Sequence, residues 1–196
     1  MSQNYLGDVN ANSLSAFTQE AKFGAGAQLK YNFSSLLSVG ADVNFGSVYS
    51  HDNLHGNAAR DYVVDTELLQ MGLFTNIHFI PFGKYNLRHS HTPFIHVGLN
   101  AVTFQPNLNT NAQYPEEIEL YPGTGHTYGY SLGFGWRIRR SLKSFYNFGI
   151  YYNGFGASNI EGFNYTAEYL EANPGTRNTL DGSLTLKLGM SLGFFE

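Results

Sequence analysis

The chain contains no cysteine, and its charged residues are scarce. The lack of cysteine excludes disulfide bonds, zinc–thiolate sites and catalysis by a thiol. Only 13% of the 196 residues are Asp, Glu, Lys or Arg, about half of the roughly 25% that is typical of proteins. The net charge of −4 is too small to predict a nucleic-acid partner.

Long apolar runs are also missing. No stretch approaches the roughly 20 apolar residues that a membrane-spanning helix requires. Any segment that crosses a bilayer is therefore expected to be a β-strand. Met1, Ser2 and Gln3 show no charged start followed by an apolar core, and no export signal is visible. We interpret this start as incomplete or processed, and not as a sign of a cytoplasmic protein.

Aromatic residues and glycine are abundant. The chain has 16 Phe, 14 Tyr and 22 Gly. Phe and Tyr suit the aromatic girdles of a membrane barrel, and Gly suits a narrow interior where strands curve closely. This composition favours a barrel in a membrane.

Apolar residues occupy every second position between residues 21 and 49. Apolar residues 23–33 alternate with Lys, Gly, Gln and Asn, residues 37–45 alternate with Ser, Gly, Asp and Asn, and only Ser34 and Ser35 separate the two runs. A period of two predicts two strands joined in an antiparallel hairpin. The polar set would line an interior while the apolar set faces out, which is the reverse of a soluble sandwich and matches a barrel in lipid.

The same alternation predicts seven full strands. The others lie near residues 69–79, 95–101, 128–138, 146–152 and 184–194. An eighth strand is needed to close the barrel, and its candidate is the short Asn4-Tyr5-Leu6 before a Gly7-Asp8 turn. Either this strand is truncated or closure is imperfect. We predict one domain over residues 1–196, an all-β, antiparallel up-and-down transmembrane barrel of about eight strands with the first truncated.

Connections of alternating length predict the orientation. Long connections at 7–20, 50–63, 106–126 and 156–180 alternate with shorter ones at 34–35, 81–92 and 139–143, as in outer-membrane barrels with extracellular loops and periplasmic turns. Acidic residues gather on the long-loop side and basic residues on the short-turn side. The acidic set comprises Asp52, Asp61, Glu116, Glu117, Glu119, Glu161, Glu168 and Glu171.

The basic residues of the short turns have two interpretations. They could be anchors whose charges reach the lipid headgroups, or they could form a docking face for an acidic periplasmic partner. Tyr85 and Leu87 among the charges favour an interface. The candidate partner-binding residues are Lys84, Arg88, His89, His91, Arg139, Arg140 and Lys143.

Inward-facing charges are expected to neutralise one another in a lumen network. Its predicted members are Lys22, Lys30, Asp42, His78, His96, Arg137 and Lys187. No catalytic residue, metal site or cofactor is predicted, because no nucleophile, dinucleotide or zinc signature is present and His89 and His91 lack further ligands. The acidic segment 114–122 could bind calcium, but a solvated loop is the simpler interpretation.

Several segments resemble the PorG-type outer-membrane barrels of Bacteroidetes. The resemblance lies in Asn4-Tyr5-Leu6-Gly7-Asp8, the strand at 23–33, the run at 75–82 and the segment Thr92-Pro93-Phe94-Ile95-His96-Val97-Gly98-Leu99. It covers about residues 4–105. It implies an accessory outer-membrane component of the type IX secretion system that anchors a periplasmic ring, with the turns at 81–92 and 137–143 on the docking side.

Three functions therefore remain open at this stage. The first is a non-enzymatic barrel that sits in outer-membrane lipid and anchors or assembles periplasmic or outer-membrane subunits of an envelope complex. The second is a small porin or ligand-binding barrel, although eight strands leave little lumen. The third is an envelope enzyme.

Overall fold

In the computed structural model, antiparallel strands dominate the chain. The structure describes residues 2–5, 19–51, 62–82, 88–110, 118–121, 123–157, 160, 162–172 and 181–192. The strands are β1 Ser2–Tyr5, β2 Lys22–Phe23, β3 Ala25–Asn32, β4 Leu37–His51, β5 Tyr62–His78, β6 His91–Thr110, β7 Ile118–Leu120, β8 Gly125–Arg139, β9 Ser144–Phe155, β10 Phe163–Tyr165 and β11 Gly182–Leu192. A short helix, α1, spans Ala167–Ala172. None of the helical structure in these residues is long and apolar enough to cross a membrane.

Nine strands form one sheet whose ends meet. The strand order is β2-β1-β11-β9-β8-β6-β5-β4-β3, and every neighbouring pair is antiparallel. The terminal strands β2 and β3 are separated in the chain by Gly24 alone, so together they act as one strand. The sheet is therefore an up-and-down barrel of eight strands, which confirms the predicted fold class. A separate hairpin pairs β7 with β10.

The first strand is as short as the sequence predicts. β1 pairs with β11 through four residues and with β2 through two. Within the described residues, β3 and positions 187–192 of β11 pair on one side only, with β4 and β9 respectively. The described residues therefore show no strand pairing between β3 and β11 toward the short turns, and closure of the barrel is weakest there.

Outward side chains form an apolar band around the barrel. On β8, Tyr128, Tyr130, Leu132, Phe134 and Ile138 are exposed, whereas Ser131 and Arg137, which point inward, are buried. Aromatic rings gather at two levels of this band. Tyr130 and Tyr152 lie near the long loops with ring centroids 6.0 Å apart, and Trp136 stacks on Phe148 near the short turns at 5.9 Å.

Beyond this band, toward the long loops, the outward side chains become polar and the inward side chains become apolar. On β5, the outward residues Asp65 and Glu67 alternate with the buried Val64, Thr66 and Leu68, and on β6 the outward Gln105 follows the buried Phe104. The change occurs at one level on neighbouring strands, because the register aligns Val43, Met71, Ala101 and Tyr128 as the last apolar level and aligns Ser47, Glu67 and Gln105 as a polar one.

This reversal explains why two loops are shorter than predicted. The connection expected to begin at 106 begins after Thr110, and the one expected to end at 63 ends before Tyr62. The extended strand ends enclose an apolar cluster, as in a water-soluble protein. Its members are Val48, Leu68, Val102, Phe104, Phe155 and Ile160.

Candidate functional site

The short-turn end of the barrel brings the predicted basic residues together. Arg88 and His91 are exposed and His89 is partly buried, and they lie in or just after the turn that precedes β6. Arg140 and Lys143 are exposed in the turn between β8 and β9, and Arg139 is partly buried at the end of β8. Lys84 lies outside the described residues.

Backbone hydrogen bonds hold the two basic turns side by side. The Arg139 amide donates to the Ser90 carbonyl at 2.7 Å, which joins the turn before β6 to the end of β8. The 140–143 turn is closed by the Arg140 amide, which donates to the Ser144 carbonyl at 2.9 Å. Because both turns are tied to strands, their cations share one surface. We define this surface as the basic face: Arg88, His89, His91, Arg139, Arg140 and Lys143.

Two arginines of the basic face take different positions. The Arg140 guanidinium lies 5.7 Å from the ring centroid of Tyr146, an outward residue of the apolar band, as an anchor at a lipid boundary would. The Arg139 guanidinium lies 4.9 Å from the Phe82 ring, over the mouth of the barrel. Arg140 therefore fits the interpretation as a lipid anchor, and Arg139 fits the interpretation as part of a docking face.

Phe82 closes the barrel at the short-turn end. Its amide donates to the Ser35 carbonyl at 2.8 Å, and its ring is 4% exposed and lies 5.6 Å from the Phe145 ring. The ring also stacks against His78, with centroids 6.3 Å apart. The sequence gives no indication of this closure, because Phe82 sits in a turn and the strand pattern says nothing about where turn residues fold.

The long-loop end is closed by a different contact. Ile160 is fully buried in the apolar cluster, its carbonyl accepts a hydrogen bond from Thr66 Oγ1 at 2.6 Å, and its amide donates to Asp181 Oδ2 at 2.9 Å. Ile160 belongs to the connection predicted as a long loop, so part of that connection folds into the barrel. Both ends of the lumen are thus occupied by side chains of the described residues.

The middle of the lumen contains a chain of hydrogen bonds. His96 Nδ1 lies 2.8 Å from Asn76 Oδ1, and His96 Nε2 lies 3.1 Å from Ser131 Oγ. Phe74 stacks on one face of the His96 ring at 5.0 Å, and the edge contact with Tyr151 is also at 5.0 Å.

This order of Ser, His and Asn resembles a hydrolytic relay, but its surroundings do not favour catalysis. Ser131 is 3% exposed and His96 is 2% exposed, so a substrate carbonyl has no path to the hydroxyl. An outward-facing groove of about 580 Å³ lies among Met71, Leu73, Leu99, Ala101 and Tyr128, on the apolar band and not in the lumen. The hydrogen bonds instead satisfy buried polar groups.

The lumen charges are neutralised only in part. Lys187 Nζ lies 3.8 Å from Asp42 Oδ2 and 3.4 Å from Asn44 Oδ1. Lys30 and Arg137 form no ion pair within the described part of the chain. The expectation of a balanced network therefore holds for one pair and not for the two other cations.

Lys22 lies apart from the predicted lumen network. Its ammonium group is 3.1 Å from Asp65 Oδ2 and 4.6 Å from the centroid of the Tyr49 ring. Tyr49 and Asp65 alternate with the buried Val48 and Val64, so this pair is on the outer surface near the long loops. The assignment of Lys22 to the lumen network is wrong, because its ammonium group pairs with Asp65 on the outer surface and both side chains are more than a third exposed.

The acidic residues are described only in part. Glu119, Glu168 and Glu171 are exposed at the long-loop end. The other predicted members, Asp52, Asp61, Glu116, Glu117 and Glu161, lie outside the described residues, as does most of the 114–122 segment. No group of three or more His, Asp or Glu residues with a metal-binding arrangement occurs in the described ranges.

No family model matches the chain, and no curated protein matches it. Among solved structures, the outer membrane protein OprG from Pseudomonas aeruginosa is similar, with a TM-score of 0.48 and 13% sequence identity over 100% of this chain and 89% of that one. This likeness is too weak to support an argument about fold or function.

Proposed function

We propose that the protein is an outer-membrane β-barrel without enzymatic activity that anchors a periplasmic partner through its basic face. The observation that carries the membrane assignment is the exposed apolar band around a polar lumen. Leu73, Leu99 and Leu188 are each more than 70% exposed, whereas Asn76, His96 and Thr185 are buried. In water this arrangement would be unfavourable, and in lipid it is the expected one.

The height of the band fits a bilayer. The outward apolar residues of β8 run from Tyr128 to Ile138. Ten steps of about 3.3 Å give about 33 Å along the strand, which a typical tilt of about 40° reduces to about 25 Å. That value matches the apolar height of outer-membrane barrels, and the two aromatic levels lie near its edges.

Two observations favour an anchoring function over transport. Side chains close both ends of the lumen at Phe82 and Ile160, which disfavours the alternative of a small porin. The basic face presents the exposed Arg88, His91, Arg140 and Lys143 on turns that are tied to strands, so it is arranged to meet an acidic surface. The buried Ser131 and His96 disfavour the alternative of an envelope enzyme.

The orientation and the type of complex belong to the same proposal. We place the long loops outside the cell and the short turns in the periplasm, as in other outer-membrane barrels. The segments that resemble PorG-type barrels favour a subunit of the type IX secretion system, with periplasmic or outer-membrane subunits as partners. The barrel needs no cofactor for this function.

The experiment replaces Arg139, Arg140 and Lys143 together with Gln. Arg137 is kept, because it is buried in the lumen and 5% exposed. Tagged protein is recovered from outer membranes of the producing cells, and co-purified envelope proteins are quantified by mass spectrometry. We expect recovery of the partner to fall at least several-fold, since opposite charge orients the encounter.

The matched control replaces Glu119, Glu168 and Glu171 with Gln, which changes three exposed charges at the opposite end. This variant is expected to recover the partner at the wild-type level. Heat-modifiable gel mobility checks that both variants are inserted and folded. Unchanged recovery with the Arg139, Arg140 and Lys143 variant would refute the docking function and leave those residues as lipid anchors.

A further inference from the structure

The lumen near the short turns gathers cationic and polar groups that lack partners. Arg137 is 5% exposed, and its Nε atom forms no hydrogen bond. His78 is 4% exposed; its Nε2 lies 3.1 Å from Ser38 Oγ, whereas Nδ1 has no partner. Lys30 is a half-buried inward residue of β3 whose charge acts on both Arg137 and His78.

Aromatic rings enclose these groups. The Arg137 guanidinium lies 4.3 Å from the Phe145 ring and 5.7 Å from the Phe82 ring. The His78 ring lies 5.7 Å from the Phe94 ring. Phe82, Phe94 and Phe145 are each less than 5% exposed. Contacts with ring faces attract a cation but leave its N–H groups without acceptors.

The charge balance of the lumen points to a missing negative group. Among the described inward residues in the middle and short-turn parts of the lumen, Lys30, Arg137 and Lys187 are cations and Asp42 is the carboxylate, which is engaged with Lys187. The other buried carboxylates, Glu20 and Asp181, accept hydrogen bonds from the His51 and Ile160 amides at the long-loop end. A buried cation without a partner is strongly unfavourable, and so is a buried donor without an acceptor. Two cations beside one another add repulsion to that cost.

We propose that the part of the lumen lined by His78, Phe82, Arg137 and Phe145, called the chamber below, binds one small oxyanion. The anion lies between Lys30 and Arg137, with His78 as a third contact. The free Nε of Arg137 and its neighbouring Nη form the planar fork that binds two oxygens of a phosphate or carboxylate. Lys30 adds a point charge, and His78 Nδ1 forms a hydrogen bond to the anion. The bound anion neutralises the lumen and fixes Arg137 between the Phe82 and Phe145 rings.

This inference does not depend on the proposed docking function. The chamber faces the lumen, whereas the basic face points to the outside, and only Phe82 belongs to the surroundings of both. The anion could be free phosphate or the phosphate of a lipid headgroup, which share the same chemistry.

The test measures thermal unfolding of the full chain in a maltoside detergent, which contains no phosphate. Inorganic phosphate is titrated at constant ionic strength, and unfolding is followed by the fluorescence of Trp136, the only tryptophan of the sequence. We expect a saturable rise in Tm for the wild-type protein. We expect this rise to be lost in Lys30→Met and in Arg137→Met, and to remain in Arg140→Gln, which removes an exposed charge nearby.

A second arm separates the two sources of the anion. Protein extracted from outer membranes is analysed for retained phospholipid, and short-chain phosphatidylglycerol is titrated in place of phosphate. If the lipid headgroup is the ligand, phosphatidylglycerol raises the Tm of the wild-type protein and not that of Lys30→Met. If free phosphate is the ligand, phosphatidylglycerol has no such effect.

A structural measurement covers the case in which Arg137→Met does not fold. Crystals of the wild-type protein soaked in selenate are expected to show anomalous density between Lys30 and Arg137, and Lys30→Met crystals are expected to lack it. The proposal is overturned if the Tm rise is equal in wild-type and Lys30→Met proteins. It is also overturned if Tm follows ionic strength alone in both arms, or if selenate density is absent from the chamber.

Discussion

Replacing Leu132 with arginine would place a charge near the centre of the apolar band. Leu132 points outward on β8, is 48% exposed and pairs with Val97 and Tyr152 on the neighbouring strands. It is four residues from Tyr128 and six from Ile138, the two ends of the outward apolar run. With a band about 25 Å high, this position lies within a few Å of the bilayer midplane.

The expected cost follows from that depth. An arginine on the lipid face of a barrel costs about 2 to 4 kcal/mol at the midplane and about 0 to 1 kcal/mol near the interfaces. Tyr128 lies about 10 Å closer to the boundary, given about 3.3 Å per residue and a tilt of about 40°. Tyr128→Arg is therefore the matched control, with the same introduced residue on the same strand.

The assay is reversible unfolding by guanidinium in lipid vesicles, followed by the fluorescence of Trp136. We expect Leu132→Arg to lower the free energy of unfolding by about 2 kcal/mol more than Tyr128→Arg. Equal losses at the two positions would refute the reasoning, because depth would then have no effect. The same conclusion would follow if the wild-type chain proved soluble and monomeric without detergent.

Two further predictions concern the lumen. Asp42→Asn should lower the free energy of unfolding by about 3 kcal/mol, because it leaves the buried Lys187 with the Asn44 amide and the Tyr151 ring but no carboxylate. Asp65→Asn, which breaks the exposed pair with Lys22, should cost less than about 1 kcal/mol. Similar losses in chemical unfolding would contradict the assigned depths of the two pairs. In planar bilayers we expect no steady ion conductance from the wild-type protein, because Phe82 and Ile160 close its ends, and sustained conductance would show that they do not.

The period-two pattern was enough to predict the sheet and its polarity. Because each strand has two faces, the alternation at 37–45 or 128–138 also determines which side chains point outward. The weak point of closure was predictable too, since Asn4, Tyr5 and Leu6 are too few to span a bilayer. These features are local to single strands, which is why the sequence alone determines them.

Other features depend on contacts that local periodicity does not contain. Phe74 breaks the alternation of β5 because it points inward and covers Gly40, where a Cβ atom would meet the Phe74 ring. The reversal of polarity on β5 and β6 also escapes prediction, since the polar outward residues Asn107 and Asn109 of β6 fall in the predicted connection 106–126. The position of Phe82 depends on a hydrogen bond from a turn to Ser35, which no strand pattern encodes.

For the same reasons, the sequence predicts some members of the candidate site and misses others. The basic residues of the 139–143 turn fell on one face because a tight hairpin leaves them little freedom. The lumen members were named from strand parity, which holds for Lys30, Asp42, His78, His96, Arg137 and Lys187 and fails at Lys22. Among the described residues, Lys30 and Arg137 have no carboxylate partner, and strand parity does not predict this because it depends on how the strands surround a common axis.

The reversal of polarity along β5 and β6 gives the barrel a defined vertical position in its membrane. Sliding toward the short-turn side by a few residues would draw Glu67 and Gln105 into hydrocarbon and expose the Trp136 level to water. Sliding the other way would draw Arg139 and Arg140 into hydrocarbon. A bilayer that is thicker or thinner is therefore expected to deform locally around the protein, at fractions of a kcal/mol per Å of mismatch. Arg139, Arg140 and Lys143 would then stay at a constant distance from the headgroups on the short-turn side.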